Sequence, residues 1–227
     1  MTTTQRLSLM AVALAASLGA SHTAARAQVV GPSGLDRSRP IGYFIGPGTA
    51  AAGSRVGDNA LAVSALEAWA SLADPPILIE PASEADAVLR IYWMPAGAGL
   101  YGEMRARSVG GRPAADVFVH PDIDVLGPDL ARRSRSDPLF RDTIVYLTCV
   151  HELGHAFGLG HTSAFADIMY SFQYGGDIVA YFGRFRQQLS SRDDVRTTSP
   201  FSVADLEAFR RIYVSSRLGV RPRSSGR

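Results

Sequence analysis

The chain has 227 residues, 46% of them hydrophobic and 19% charged, with 23 basic residues, all arginine, against 21 acidic ones. Arg6 and Arg26 fall in the first 27 residues, which hold no acid, so the rest balances at 21 against 21 and offers no net charge to nucleic acid or an anionic membrane. A single cysteine, Cys149, excludes an intrachain disulfide.

Met1 to Ala27 reads as a cleaved secretory signal: Arg6 in a short polar start, an apolar run from Leu7 to Ala20, and the small-residue site Ala25-Arg26-Ala27. The run is too short for the ~20 residues of a membrane span, so a secreted or periplasmic protein with no stable membrane insertion is expected. Arginine in place of every lysine, with abundant alanine, points to a bacterial genome rich in G and C. Residues 28–227 amount to one domain, expected as a monomer.

Ile41-Gly42-Tyr43-Phe44-Ile45 reads as a first strand, stopped by Gly46-Pro47-Gly48. Asp58 is placed to cap a helix whose Leu61, Ala65, Ala68, Trp69 and Leu72 share one face, and Pro75-Pro76 ends it. Ile77 to Glu80 and Ala87 to Trp93 are the next strands, the latter alternating Ala87, Leu89, Ile91 and Trp93 onto one side. Tyr101 to Ser108, Gly110-Gly111 and Asp116 to His120 form a hairpin. Arg132, Arg133 and Arg135 read first as an exposed loop, and second as a nick site for another protease. Asp137-Pro138 opens a long helix carrying Leu139, Ile144, Leu147, Val150 and Phe157. An extra helix with an Ile178, Tyr181, Phe182, Phe185, Leu189 stripe follows, read as core packing ahead of a substrate role. Ser202 and Asp205 make a capping box for a terminal helix with Leu206, Phe209 and Tyr213 on one side.

Inside the long helix stands His151-Glu152-Leu153-Gly154-His155-Ala156-Phe157-Gly158-Leu159-Gly160-His161, which matches HExxHxxGxxH. Residues four apart on a helix differ by about 40° of azimuth and about 6 Å of rise, so His151 and His155 can hold one ion while Glu152 sits on the neighbouring flank. Gly158 can take φ > 0, end the helix and return His161 to the same ion. Three neutral nitrogens and an open fourth position are the ligand set of a catalytic zinc site. Zinc so bound lowers the pKa of its water to around 7 and polarises a carbonyl, and Glu152 is the general base.

The segment resembles the zinc-binding consensus of the metzincin metalloproteases, and Asp167-Ile168-Met169-Tyr170 resembles their methionine turn. The Met-Tyr pair and short spacing are most similar to the matrixin branch, although Thr162 and Ser171 stand where matrixins usually carry serine and proline. The resemblance implies an α+β metzincin (zincin-like) fold: a twisted mixed sheet, an active-site helix, an upper subdomain at about 40–161 and a smaller lower one at about 162–216. It implies a zinc endopeptidase acting on protein or peptide substrates, Met169 supporting the metal floor, substrate extended along Gly102 to Ser108, and a pocket wall from Ser171 to Gly176 including Phe172 and Tyr174. Tyr170 either assists an oxyanion or simply packs. Matrixins are often held latent by an upstream propeptide cysteine, and none is expected here.

Four points lie outside that pattern. Cys149, about 200° around the helix from His151, is expected buried and inert, with intermolecular pairing as the alternative. His120, beside Asp122 and Asp124, reads by default as part of a solvated acidic turn, with an oxygen-ligand calcium site next and a structural zinc site last. Gln173 to Thr198 is longer than the usual matrixin connection. A catalytically silent protein of the same fold that only binds zinc or a partner is the alternative function, against which the intact Glu152 argues.

Overall fold

A computed structural model of the protein describes residues 34–95 and 101–214. The leader read at Met1 to Ala27 lies outside the described residues, and no helix among them is long and apolar enough to cross a membrane. Five strands, β1 (Ile41–Ile45), β2 (Ile79–Pro81), β3 (Leu89–Trp93), β4 (Gly102–Val109) and β5 (Arg112–Val119), form one sheet in the order β2-β1-β3-β5-β4. Every neighbouring pair is parallel except β4 with β5, which is antiparallel. Gly110 and Gly111, at φ 56° and 78°, turn that hairpin in a conformation open to glycine and strained for other residues.

The register puts Ile41, Leu89, Ile91, Ala115, Val117, Val119 and Met104 into the core. That core also holds α1 (Asp58–Ala70), through Leu61, Ala65, Leu66 and Trp69, and α3 (Pro138–Ala156), through Phe140, Ile144, Val150 and Leu153. The architecture is α+β with a mixed sheet. Beyond α3 come α4 (Ile178–Arg186) and α5 (Val203–Val214). Tyr181, Phe182, Phe185 and Leu189 are buried, and Ser202 and Asp205 cap α5 reciprocally, with bonds of 3.1 Å (Asp205 N to Ser202 Oγ) and 2.8 Å (Ser202 N to Asp205).

Several expectations need correction. Asp58 does not cap α1: Gly57, at φ 93°, holds that position without a side-chain bond. Asp58 is instead buried against Arg141 of α3, whose guanidinium also donates to the carbonyls of Gly53 and Pro121. This bidentate pair joins positions 83 residues apart, which local spacing cannot reveal. Arg132, Arg133 and Arg135 lie on a helix, α2 (Pro128–Ser136), and not in a loop. Pro128 starts it, and Leu130, Ala131 and Ser134 face inward while the arginines face water. The strand expected at Ile77 begins at Ile79, because the Ile77 N–H donates to the carbonyl of Ala70 at the end of α1. The strand expected at Ala87 begins at Leu89, since the Ala87 N–H turns back to Ser83. The hairpin's second strand starts at Arg112, directly after the glycine turn, and not at Asp116.

Candidate metal centre

His151 and His155 project from the last turns of α3. Asp137 fixes the start of that helix by accepting from the Phe140 N–H at 3.1 Å, with Pro138 in its first turn. At the other end Gly158 takes φ 95°, and the N–H groups of Gly158 and Leu159 donate to His155 and Gly154. The reversal returns His161, after which Thr162 bridges to the methionine turn: its N–H donates to Met169 at 2.9 Å, and its carbonyl accepts from Ser171 at 3.1 Å.

The Nε2 atom of His161 lies 3.2 Å from that of His151 and 3.1 Å from that of His155. Tetrahedral zinc with bonds of ~2.05 Å places nitrogen ligands about 3.3 Å apart, close to this spacing. The opposite ring nitrogens explain the orientation. His151 Nδ1 donates to the Ile168 carbonyl at 2.7 Å and His155 Nδ1 to the Leu159 carbonyl at 2.8 Å. Both tautomers are thereby fixed with the Nε2 lone pair facing the shared point. At most one N–H, that of His161, remains among three converging nitrogens, an arrangement that suits a cation. Burial pushes the pKa of His151 down to about 3 and that of His155 down to about 4, and lowers that of His161. All three are therefore neutral at pH 7, the protonation state of a metal ligand.

Glu152 lines the same cavity as His151 and His161 and is only 7% exposed. Burial, reinforced by the nearby Glu103, pushes its pKa up to about 8. The carboxylate packs over Gly102, the first residue of β4: a Cβ there would stand 2.5 Å from Oε1 and 2.9 Å from Cδ. Gly154 does a comparable job beneath the helix. A Cβ at that position would collide with Met169 Sδ and come within 3.0 Å of Trp69, so its absence lets the buried methionine sit against the helix turn that carries the histidines.

The methionine turn is held from behind. Asp205 accepts from the N–H groups of Ile168 at 2.9 Å and Met169 at 3.4 Å, and Ser202 Oγ donates to Asp167 at 2.7 Å. The Tyr181 hydroxyl donates to the carbonyls of Asp167 and Ile168 at 3.0 and 3.1 Å. Tyr170 is buried, and its hydroxyl donates to the Gly175 carbonyl at 2.6 Å, so of its two readings packing is the one this geometry supports.

A cavity of about 350 Å³ opens beside the histidines, walled by Tyr101, Leu147, Phe172, Tyr181 and Phe182. Ser171, Phe172 and Gln173 line it as expected of the 171–176 segment, whereas Tyr174 is 57% exposed and does not. Tyr181 and Phe182 are thus both core and cavity wall. Spacing could not reveal the parts played by Gly102, Gly154 and Asp205, whose partners are distant in sequence.

Cys149 is fully buried, and burial pushes its thiol up, as expected of an inert side chain. His120 is buried, its Nδ1 3.2 Å from the Met94 carbonyl, so it is not solvated. Asp122 caps a short turn through the Asp124 N–H, and Asp124 pairs with Arg135 at 2.9 Å. Neither joins a three-ligand group: among the described residues, His151, His155 and His161 are the one such set of side chains gathered closely enough to hold a metal.

Fold and site together define an α+β protein with a three-histidine centre at the end of the longest helix among the described residues. No protein-family model and no curated protein matches the chain. Among solved structures it is similar to two of myroilysin. One is 14% identical with a TM-score of 0.41, covering 82% of this chain and 97% of that one. The other is 16% identical with a TM-score of 0.37, covering 81% and 86%. Likeness this loose leaves the functional reading to the chemistry of the site.

Proposed function

We propose that the protein is a zinc-dependent endopeptidase of metzincin type, most like the matrixins. The observation that carries the reading is the convergence of three Nε2 atoms, two with their tautomers fixed by backbone carbonyls, beside a buried glutamate. Zinc held by His151, His155 and His161 would supply a Lewis acid and a water acidified to near neutrality. Glu152 takes a proton from the attacking water and gives it to the leaving amine, a role open to a carboxylate that lines the same cavity as His151 and His161. Met169, packed under Gly154, supports the ligand helix, and Gly158 makes the turn that brings in His161.

Substrate lies extended along β4, which ends the sheet and whose outer edge is unpaired by any described strand. Gly102 brings that edge against Glu152. The adjoining cavity takes a bulky apolar side chain against Leu147, Phe172, Tyr181 and Phe182. In this reading residues 1–27 are a secretory signal, 28–227 the enzyme, with subdomains at about 40–161 and 162–216, and the product is a secreted or periplasmic monomer acting on peptides. Digestion of a mixed peptide library by the zinc-loaded protein, with and without a chelator, is the test. Cleavage should vanish with chelation and fall by a factor on the order of 10² to 10⁴ in Glu152→Ala, which should keep its zinc. A zinc-loaded protein that cuts nothing would return the assignment to a silent zinc-binding fold.

A further inference from the structure

Behind Tyr181 lies a second cavity of about 370 Å³, bounded by α4, the methionine turn and the segment leading into α5. Leu147 and Tyr181 are common to both cavities. Its base is apolar, with Leu147, Ile168 and Phe185 buried and Phe201 packed against the core. Its size falls in the ~300–1,000 Å³ range of small-molecule sites.

Two groups of opposite charge line it. Asp167 is 4% exposed; Oδ1 accepts from Ser202 Oγ, while Oδ2 has no hydrogen-bond or ion-pair partner among the described residues. Oδ2 is not fully enclosed by protein, so it is open to a donor from the cavity that Asp167 lines. Arg184, exposed at the rim, lies over the rings of Phe165 and Tyr181 at 5.0 and 4.8 Å and makes no ion pair with a described carboxylate. A simple anion would meet repulsion from Asp167, and a simple cation would meet it from Arg184.

We infer that this cavity binds a small zwitterion with an apolar side chain, a free amino acid or dipeptide. Its ammonium sits on Asp167 Oδ2, its carboxylate on Arg184, and its side chain on Leu147, Phe185 and Phe201. The inference is independent of proteolysis, since binding is read without turnover. The test is calorimetric titration of the zinc-loaded protein with L-phenylalanine, phenethylamine, which lacks the carboxylate, and 3-phenylpropionate, which lacks the ammonium. Phenylalanine should bind, both single-charge analogues should bind more weakly by a factor on the order of tenfold or more, and Arg184→Gln should weaken phenylalanine to a similar degree. Arg184 is exposed, so that variant should fold, and Asp167→Asn provides the second arm, checked for folding by its melting curve. No binding, equal binding of the analogues, or phenylalanine binding untouched by Arg184→Gln would overturn the site.

Discussion

Replacing Gly102 by alanine isolates the placement of Glu152 from everything else at the site. Gly102 does not have a positive φ, so alanine is tolerated by the backbone there, and the ladder pairing with Val119 is unaffected. The added Cβ stands 2.5 Å from Oε1, 2.8 Å from Cγ and 2.9 Å from Cδ of Glu152. Restoring an ordinary separation of ~3.4 Å moves the carboxylate by about 0.9 Å. A misplacement of ~1 Å can cost on the order of 10²-fold in rate. The expected result is a fall in kcat on the order of 10- to 10²-fold, with zinc content unchanged because no ligand moves. Steady-state kinetics on a cleaved peptide and elemental analysis of the same preparation measure both. An unchanged kcat, or a loss of zinc in step with activity, would refute the idea that β4 sets the position of the base.

His155→Ala removes a nitrogen whose tautomer is fixed by Leu159, so elemental analysis should find the zinc lost; undiminished zinc would remove His155 from the ligand set. Asp205→Asn replaces a carboxylate that accepts from Ile168, Met169 and Ser202 with a group offering one acceptor oxygen, and should cost about 1–3 kcal/mol in chemical denaturation while weakening zinc retention. The metal-free protein should be most stable near pH 6.5. Glu152, raised to about 8, binds a proton in the fold before it does in the unfolded chain, so stability rises as pH falls from above 8 toward 6.5. Below 6.5 the unfolded histidines take up protons that folded His151 and His155, held near 3 and 4, refuse, and two or three such groups outweigh one glutamate. Melting temperatures of the zinc-free protein from pH 8.5 to 4.5 would decide it; a monotonic rise toward acid would contradict the sign.

What was legible in the sequence was what local spacing encodes. The helix from Asp137, the turn at Gly158, the capping box of α5 and the gathering of three histidines depend on residues within about a dozen positions of one another, and each has a local rule. Of the misread elements, the start of α1 depends on a partner far along the chain. Asp58 has the composition of a cap, yet Arg141 draws it into the core, and the best local solution yields to a buried charge pair. The arginines of α2 hide a helix because only one large apolar residue, Leu130, faces inward. The glycines at 102 and 154 are uninformative until the side chains they admit, Glu152 and Met169, are placed.

The peptide linking Asp167, Ile168 and Met169 shows why the long 173–198 segment belongs to the site and is not an appendage to it. The Ile168 carbonyl accepts from both His151 and Tyr181, so α3 and α4 share one oxygen. The Ile168 N–H, on the other side of the same residue, donates to Asp205 of α5. Three helices therefore fix one short stretch of backbone, and that backbone in turn fixes which nitrogen of His151 faces the shared point. Tyr181 also walls the cavity beside the histidines, so α4 contributes at once to the orientation of a candidate ligand and to the shape offered to a substrate. A change on α4 that alters which side chain the cavity accepts should, by this coupling, also alter how firmly His151 is held.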